Sequence, residues 1–513
     1  MLTTALLSVL CAPRMEAQTE ERDWTASVEA RATVSSGQTP LWLHANRYGM
    51  GSLRAANGYV RATSGGMLAG DKANHRWSLD ACVDMALAWH LSSTCLLQQL
   101  YVEGHYRHLS LTVGQKQHRM ELKNALLSSG SQTLGLNARP WPEVRLEVAD
   151  YWDVPGTGRW LALKGHLAYG WATDADWQED WTEGANRYVH GERLHTKAGY
   201  LRLGPDDSRH PYSLELGLEM ACQFGGTLHH TSAGTLEAPS GLRAYWDAFT
   251  ASGSDEVDAT YHNVGGNQLG SWVARLNYDW PWLRLSLYAD HYFEDHSSML
   301  LTDYDGYGEG ADWNTHSQSR YLIYPLRDML WGVELQLHRT SWIKGVVLEY
   351  IDTRYQSGPI YHDHNEGISD HIGGDDNYYN HYLYQGWSHW GEVIGNPLYR
   401  SPLYNNDHTL TIESNRFRAV HVGMNGSLGI VSNQLSDVDY RLLCSWQRSL
   451  GTYQAPFVDP QDNLSLMAEV SCVFASDWLI GGSQSRVTVA LGYDHGELLG
   501  NNAGVQVGWR LSL

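Results

Sequence analysis

The sequence predicts an all-β fold, a transmembrane antiparallel β-barrel of about 18 strands with long extracellular loops and a short helical plug or cap. Three observations predict it. The chain repeatedly alternates apolar with small or polar residues, as in its last nine, Val505-Gln506-Val507-Gly508-Trp509-Arg510-Leu511-Ser512-Leu513. A period of two means a strand with one apolar and one polar face, because successive side chains point to opposite sides. Many such runs begin or end in Trp or Tyr, as the aromatic girdles of a lipid-embedded barrel require. The opposite faces hold Gly, Asp, Glu, Arg and His, which suits a wet lumen. A soluble sandwich would also alternate, with its apolar face inward.

The elements follow in chain order. Leu6, Leu7, Val9 and Leu10 form the apolar centre of a secretory signal over 1–17 that lacks a basic segment before it. Residues 18–513 then form one barrel domain, since no linker-like composition interrupts them. Strand-like runs lie near 26–34, 59–64, 77–89, 95–106, 108–114, 133–138, 143–149, 160–171, 194–203 and 212–224. They continue near 271–280, 283–293, 329–339, 342–353, 417–430, 438–449, 464–475, 485–494 and 503–513. Trp77, Leu79, Ala81, Val83, Met85, Leu87 and Trp89 make one apolar face; Leu214, Leu216, Leu218, Met220, Cys222 and Phe224 make another. Asp80, Asp84, Glu215, Glu219, Glu469 and Arg486 stand on opposite faces. Asp279-Trp280-Pro281-Trp282 and Arg339-Thr340-Ser341 read as tight turns. The long segments 172–193, 225–270, 294–328 and 354–416 are assigned to the extracellular side, since such barrels alternate short turns with long loops. Met120 to Leu127 has helical composition and is the expected plug or cap.

Composition narrows the function. Thirty Tyr and 22 Trp stand against six Phe; Tyr and Trp suit membrane interfaces and also sugar binding. The formal charge of −21 argues against a nucleic-acid partner, which demands Lys and Arg. The cysteines left after cleavage, Cys82, Cys95, Cys222, Cys444 and Cys472, are odd in number and lack metal-site spacing, so neither a disulfide framework nor a zinc site is expected.

Several separated motifs then become specific. They include Pro40-Leu41-Trp42-Leu43-His44-Ala45-Asn46-Arg47-Tyr48-Gly49, Met120-Glu121-Leu122-Lys123-Asn124, Leu127-Ser128-Ser129-Gly130-Ser131-Gln132-Thr133 and Asn137-Ala138-Arg139-Pro140. Asp150-Tyr151-Trp152, Lys164-Gly165-His166, Asp376-Asn377-Tyr378-Tyr379-Asn380-His381 and Ile394-Gly395-Asn396-Pro397-Leu398 follow in order. This set resembles the capsule assembly Wzi family, in its Bacteroidetes-type branch, over about residues 24 to 513. The resemblance implies an 18-stranded barrel of the bacterial outer membrane, with outer-membrane lipid and lipopolysaccharide around it. It also implies a non-enzymatic, lectin-like role in attaching or assembling capsular or other surface polysaccharide. A passive porin or glycan-uptake channel is the alternative.

The 354–416 loop is the candidate ligand surface. Aromatic rings stack on the C–H faces of sugars, while Asp and Asn read their hydroxyls. Tyr382, Trp387 and Trp390 are the expected platforms, Tyr378 and Tyr379 stand with them, and Asp375, Asp376 and Asn377 are the expected polar readers. Rings packed against one another to plug the lumen are the simpler alternative for most of these positions. The loop carries eight carboxylates, Asp363, Glu366, Asp370, Asp375, Asp376, Glu392, Asp407 and Glu413, against Arg354, Arg400 and Arg416. That balance disfavours a bare polyanion and favours a neutral glycan, or an anionic one bridged by divalent cations. His362-Asp363-His364, His389 and His229-His230 lack a metal-ligand pattern, and no nucleophile or phosphate-loop motif appears, so no metal, cofactor or catalytic residue is expected.

Overall fold

The computed structural model describes residues 24–71, 76–205, 210–252, 265–294, 328–356, 360–362, 371–373, 376–429, 435–476 and 479–513. The expected signal segment lies outside these residues. Eighteen strands form one sheet: β1 Trp24–Ser36, β2 Ala56–Gly70, β3 Trp77–Trp89, β4 Cys95–Tyr106, β5 Leu109–Gln115, β6 Pro142–Asp153, β7 Leu161–Trp171, β8 Arg193–Leu203 and β9 Tyr212–Phe224. The rest are β10 Asn267–Trp280, β11 Leu283–Glu294, β12 Met329–Leu337, β13 Gly345–Asp352, β14 Phe417–Ser427, β15 Leu435–Gly451, β16 Pro456–Ala475, β17 Gln484–Gly496 and β18 Asn502–Ser512. Each strand pairs antiparallel with its chain neighbours, and β18 returns to β1, with Val505 opposite Val34. Closure leaves no strand edge unpaired, which is the condition for a sheet to cross a bilayer.

The burial pattern has the sense a lipid-facing barrel requires. On β3, exposure of the large outward apolar residues runs from 36% at Leu79 to 56% at Trp89, whereas inward Asp84 is 0% exposed. Arg61 of β2 holds Asp84 through its Nε, 2.8 Å from Oδ1. Trp24, Trp77, Tyr106, Trp160, Tyr212, Trp280 and Trp282 stand exposed at the short-turn end, and Trp89, Trp171, Trp331 and Tyr493 near the other. The segments between β7 and β8, β9 and β10, β11 and β12, and β13 and β14 all leave the barrel at this second end, as expected of the extracellular side. The tight turn at Pro281-Trp282 joins β10 to β11 at the opposite end.

Two expectations are corrected. Residues 133–138 form no strand, and Met120 to Leu127 forms turns, not a helix. Leu122 sits at φ 55, a left-handed backbone that interrupts any α-helix there, and Asn124 Oδ1 accepts from the Leu126 and Leu127 N–H groups at 3.0 and 3.1 Å as a turn does. The plug exists, but three inward segments build it: 37–55, 116–141 and 376–416. The first contains a single helical turn, α1 Leu41–His44. Gly492 and Gly504, opposite each other on β17 and β18, leave the notch it fills. A Cβ at Gly492 would lie 2.6 Å from Leu43 Cγ, and one at Gly504 would lie 2.9 Å from Pro40 Cδ. In the second segment Lys123 Nζ meets Asp290 Oδ2 of β11 at 2.6 Å, both side chains almost fully buried. Ser128 Oγ and the Ser129 N–H donate to the Glu349 carboxylate of β13 at 2.6 and 2.8 Å. The third segment crosses the second: Trp387 Nε1 donates to the Thr133 carbonyl at 3.0 Å, and Asn396 Nδ2 to the Ser129 hydroxyl at 3.0 Å. Trp42, Leu43, Tyr379, Trp387, Val393, Ile394 and Tyr399 join wall residues such as Tyr292 and Phe417 in one buried cluster. The largest core of the molecule therefore fills the upper lumen.

Candidate functional site

The predicted ligand loop divides into a buried and an accessible part. Tyr378, Tyr379 and Trp387 are each 0% exposed. The Tyr378 hydroxyl donates to Asp328 Oδ2 at 3.0 Å, and the Tyr379 hydroxyl donates to the Gln132 carbonyl. These three rings are plug, with no face open to a sugar. Asn377 Oδ1 accepts from Asn380 Nδ2 at 2.9 Å and holds the turn that carries them. Asp376 is half-buried beside it, and Asp375 lies outside the described residues. Tyr382 is 40% exposed, and Trp390 is half-exposed at the rim.

Trp390 sits in a tight turn. Ser388–His389 pairs with Glu392–Val393, and the two connecting residues, Trp390 and Gly391, have φ of 55 and 75. Positive φ at both central positions is the type I′ arrangement, for which Asn-Gly and Asp-Gly are favoured. A tryptophan there costs backbone strain of order 1 kcal/mol, and such outliers cluster at functional sites. The turn is held from outside: the Trp390 N–H donates to Asp174 Oδ2 at 2.7 Å, and its Nε1 to Thr173 Oγ1 at 3.2 Å. The Arg139 guanidinium lies over the ring at 4.1 Å.

From Trp390 an aromatic ridge runs across the rim. The helix α2 Ala175–Trp181 sets Trp177 and Trp181 four residues apart, hence on one face. Ring centroids are 6.2 Å apart for Trp390 and Trp177, 5.5 Å for Trp177 and Trp181, and 5.1 Å for Trp181 and His408. All four rings are half-exposed. A Cβ at Gly391 would lie 2.5 Å from Trp177 Cη2, so the turn glycine also admits the indole. Asp176, Glu179, Asp180, Glu183 and Asp407 are exposed around the ridge. Arg139, whose side chain burial pushes down to about 10, is covered by Trp390, and Arg187 donates to the Tyr382 carbonyl. Trp177, Trp181 and His408 were missed in the sequence; the Trp-x-x-x-Trp spacing inside a loop was the signal that could have found the first two.

His389 and His229 of the rim are structural. His389 donates from Nδ1 to the Arg139 carbonyl at 2.7 Å and accepts at Nε2 from the Thr173 N–H at 3.1 Å, and burial pushes its pKa down, which keeps it neutral. His229 stacks on Tyr188 at 4.6 Å. Asp363 and His364 lie outside the described residues. Among the described residues no group of three His, Cys, Asp or Glu is placed to hold a metal ion.

Closed topology, an apolar outer band and a polar, ion-paired interior define an outer-membrane β-barrel of 18 strands. No protein-family model matches the chain, and no curated protein matches its sequence. Among solved structures it is similar to Wzi of Escherichia coli, described as an outer-membrane protein involved in group 1 capsule assembly and a carbohydrate-binding β-barrel. Identity is 13% and the TM-score 0.55, over 99% of this chain and 86% of that one. OpdL of Pseudomonas aeruginosa follows at 11% identity and TM-score 0.45, over 96% of this chain and 99% of that one. OprD of the same organism stands at 9% and 0.42, over 96% and 93%. The likeness to Wzi is one of fold.

Proposed function

We propose that this protein is a non-enzymatic, lectin-like barrel that attaches or assembles polysaccharide at the cell surface, as a Bacteroidetes-type relative of the capsule assembly Wzi family with residues 1–17 as its signal segment. The observation that carries the reading is the ridge of Trp390, Trp177, Trp181 and His408 at the rim of a barrel whose upper lumen is filled. Trp177, Trp181 and His408 stack on one another within 19° of parallel, so the row presents a strip of ring edges for apolar contact with a sugar chain, and the neighbouring carboxylates accept hydrogen bonds from hydroxyls. The acidic surround favours a neutral glycan over a bare polyanion. The resemblance of the sequence motifs to the family supports the same reading, as does the likeness of fold to a carbohydrate-binding barrel.

The test is glycan retention. In a strain carrying Trp177→Ala and Trp181→Ala together, with the barrel at normal level in the outer membrane, polysaccharide is expected to move from the cell surface to the medium with total synthesis unchanged. Retention equal to wild type in that strain and in a strain lacking the protein would refute attachment.

A further inference from the structure

A second helix, α3 Leu242–Thr250, lies on the outside of the barrel wall. The wall beneath it faces outward by register. Tyr169 of β7 shares a face with Val144 of β6, which is 42% exposed, and across the ladder with His195 of β8; His195 in turn pairs with Cys222 of β9. These outward side chains would meet lipid, yet α3 covers them: Cys222, Phe224 and Ala248 are buried together, with Tyr169, Ala244 and Tyr245 packed around. Two wall side chains fasten the helix. The Tyr169 hydroxyl donates to the Tyr245 carbonyl at 2.8 Å, and Lys197 Nζ donates to the Phe249 carbonyl in the last turn, where a cation also complements the helix dipole.

The helix has a second apolar face. Leu242 and Trp246, at i and i+4, stand away from the wall and are 90% and 62% exposed, while Phe249, at i+7, borders the wall, its ring 6.1 Å from that of His195, and is 37% exposed. Exposed apolar groups of this size on a helix of nine residues demand an occupant. The helix sits at the extracellular end of β7–β9, at the level of the outer girdle residue Trp171, itself 42% exposed. Its apolar face continues the lipid-facing band of the barrel. Arg243 projects beside it, its side chain 90% exposed and 3.7 Å from Asp247, and Arg193 stands over the Tyr245 ring at 5.7 Å. Apolar side chains flanked by arginines match the acyl chains and phosphates of an anionic lipid.

We infer that α3 is an interfacial anchor that inserts Leu242, Trp246 and Phe249 into the acyl region of the outer leaflet and sets Arg243 against the phosphate of an anionic lipid. This rests on the barrel's place in the membrane and not on the glycan reading. Trp246→Phe keeps the apolar face, so the wild-type minus variant fluorescence isolates Trp246 among the other indoles. In the full-length protein reconstituted in vesicles of phosphatidylethanolamine and phosphatidylglycerol with brominated acyl chains, that difference emission is expected to be largely quenched, and aqueous iodide to leave it unchanged. Replacing the phosphatidylglycerol with phosphatidylcholine is expected to weaken the quenching, and Arg243→Glu to remove this dependence. Emission quenched by iodide and not by bromolipid would overturn the inference. So would a dimer in mild detergent that Trp246→Glu dissociates, because a second copy would then occupy the face.

Discussion

At the scale of single residues, Trp390 separates function from folding. The turn requires a positive φ that a tryptophan disfavours, and glycine at this position would remove roughly 1 kcal/mol of strain. Arg139 is 4% exposed beneath the ring, so its contact with Trp390 is worth about 2 kcal/mol. The net loss is of order 1 kcal/mol, small against a barrel of this size, so Trp390→Gly is expected to leave the thermal midpoint within a few degrees of wild type while lowering glycan binding. A large loss of stability would assign the ring to packing instead. This residue was legible in the sequence as one aromatic among many in a loop rich in Tyr, His and Trp. What the sequence did not carry was direction. Tyr378, Tyr379 and Trp387 have the same composition and neighbourhood as Trp390, but turns at Asn377–Asn380 and the Thr133 carbonyl draw them inward. Trp177 and Trp181 come from another loop and meet Trp390 only through tertiary folding.

At the scale of elements, the alternation of apolar and polar residues identified the barrel strands, because wall residues obey the pleat and little else. It failed at 133–138, where Leu134, Leu136 and Ala138 alternate along an extended plug segment bound by contacts such as the Gly135 N–H to the Ile394 carbonyl at 3.1 Å. The motifs around Trp42, Leu127, Asn137, Tyr379 and Asn396, scattered in sequence, meet in that plug. Their specificity reflects mutual packing. The rim elements also share a buried acid. Glu192 precedes β8 and accepts from Gln223 Nε2 at 2.7 Å and from Gln385 Nε2. Burial, with Asp174 nearby, pushes it up to about 8. An unfolded Glu titrates near 4.3, so between about 4.3 and 8 the folded loops hold a proton that the unfolded loops release. The stabilisation is full below the lower value and is lost as pH rises through the upper one. Amide exchange of residues 188–193 and 383–387, corrected for the intrinsic rate, is expected to speed up from about pH 5 to 8. Glu192→Gln is expected to flatten this trend; an unchanged slope would place the titrating group elsewhere.

At the scale of the whole molecule the question is whether the plug is a gate or a permanent part of the fold. Removing one member of a buried ion pair costs about 3–5 kcal/mol, so Lys123→Met, which strands Asp290, is strongly destabilising. Against this stand Trp42, Leu43, Leu127 and Trp387, all nearly inaccessible, each contributing about 1.5–3 kcal/mol of apolar burial. The hydrogen bonds of Ser128 and Ser129 to Glu349 add to them. Loss of one contact therefore weakens the plug without evicting it. In planar bilayers the wild-type protein is expected to show no steady open-pore current. Lys123→Met is expected to unfold at lower temperature yet remain closed, and deletion of 120–138 to conduct. Steady conductance by the wild type would mean that the three segments leave the lumen in a membrane, and the channel reading would then displace the lectin-like one. A closed wild type with a conducting deletion would instead fix the plug as scaffold, its buried face locking the barrel and its outer edge carrying the ridge of Trp390, Trp177 and Trp181.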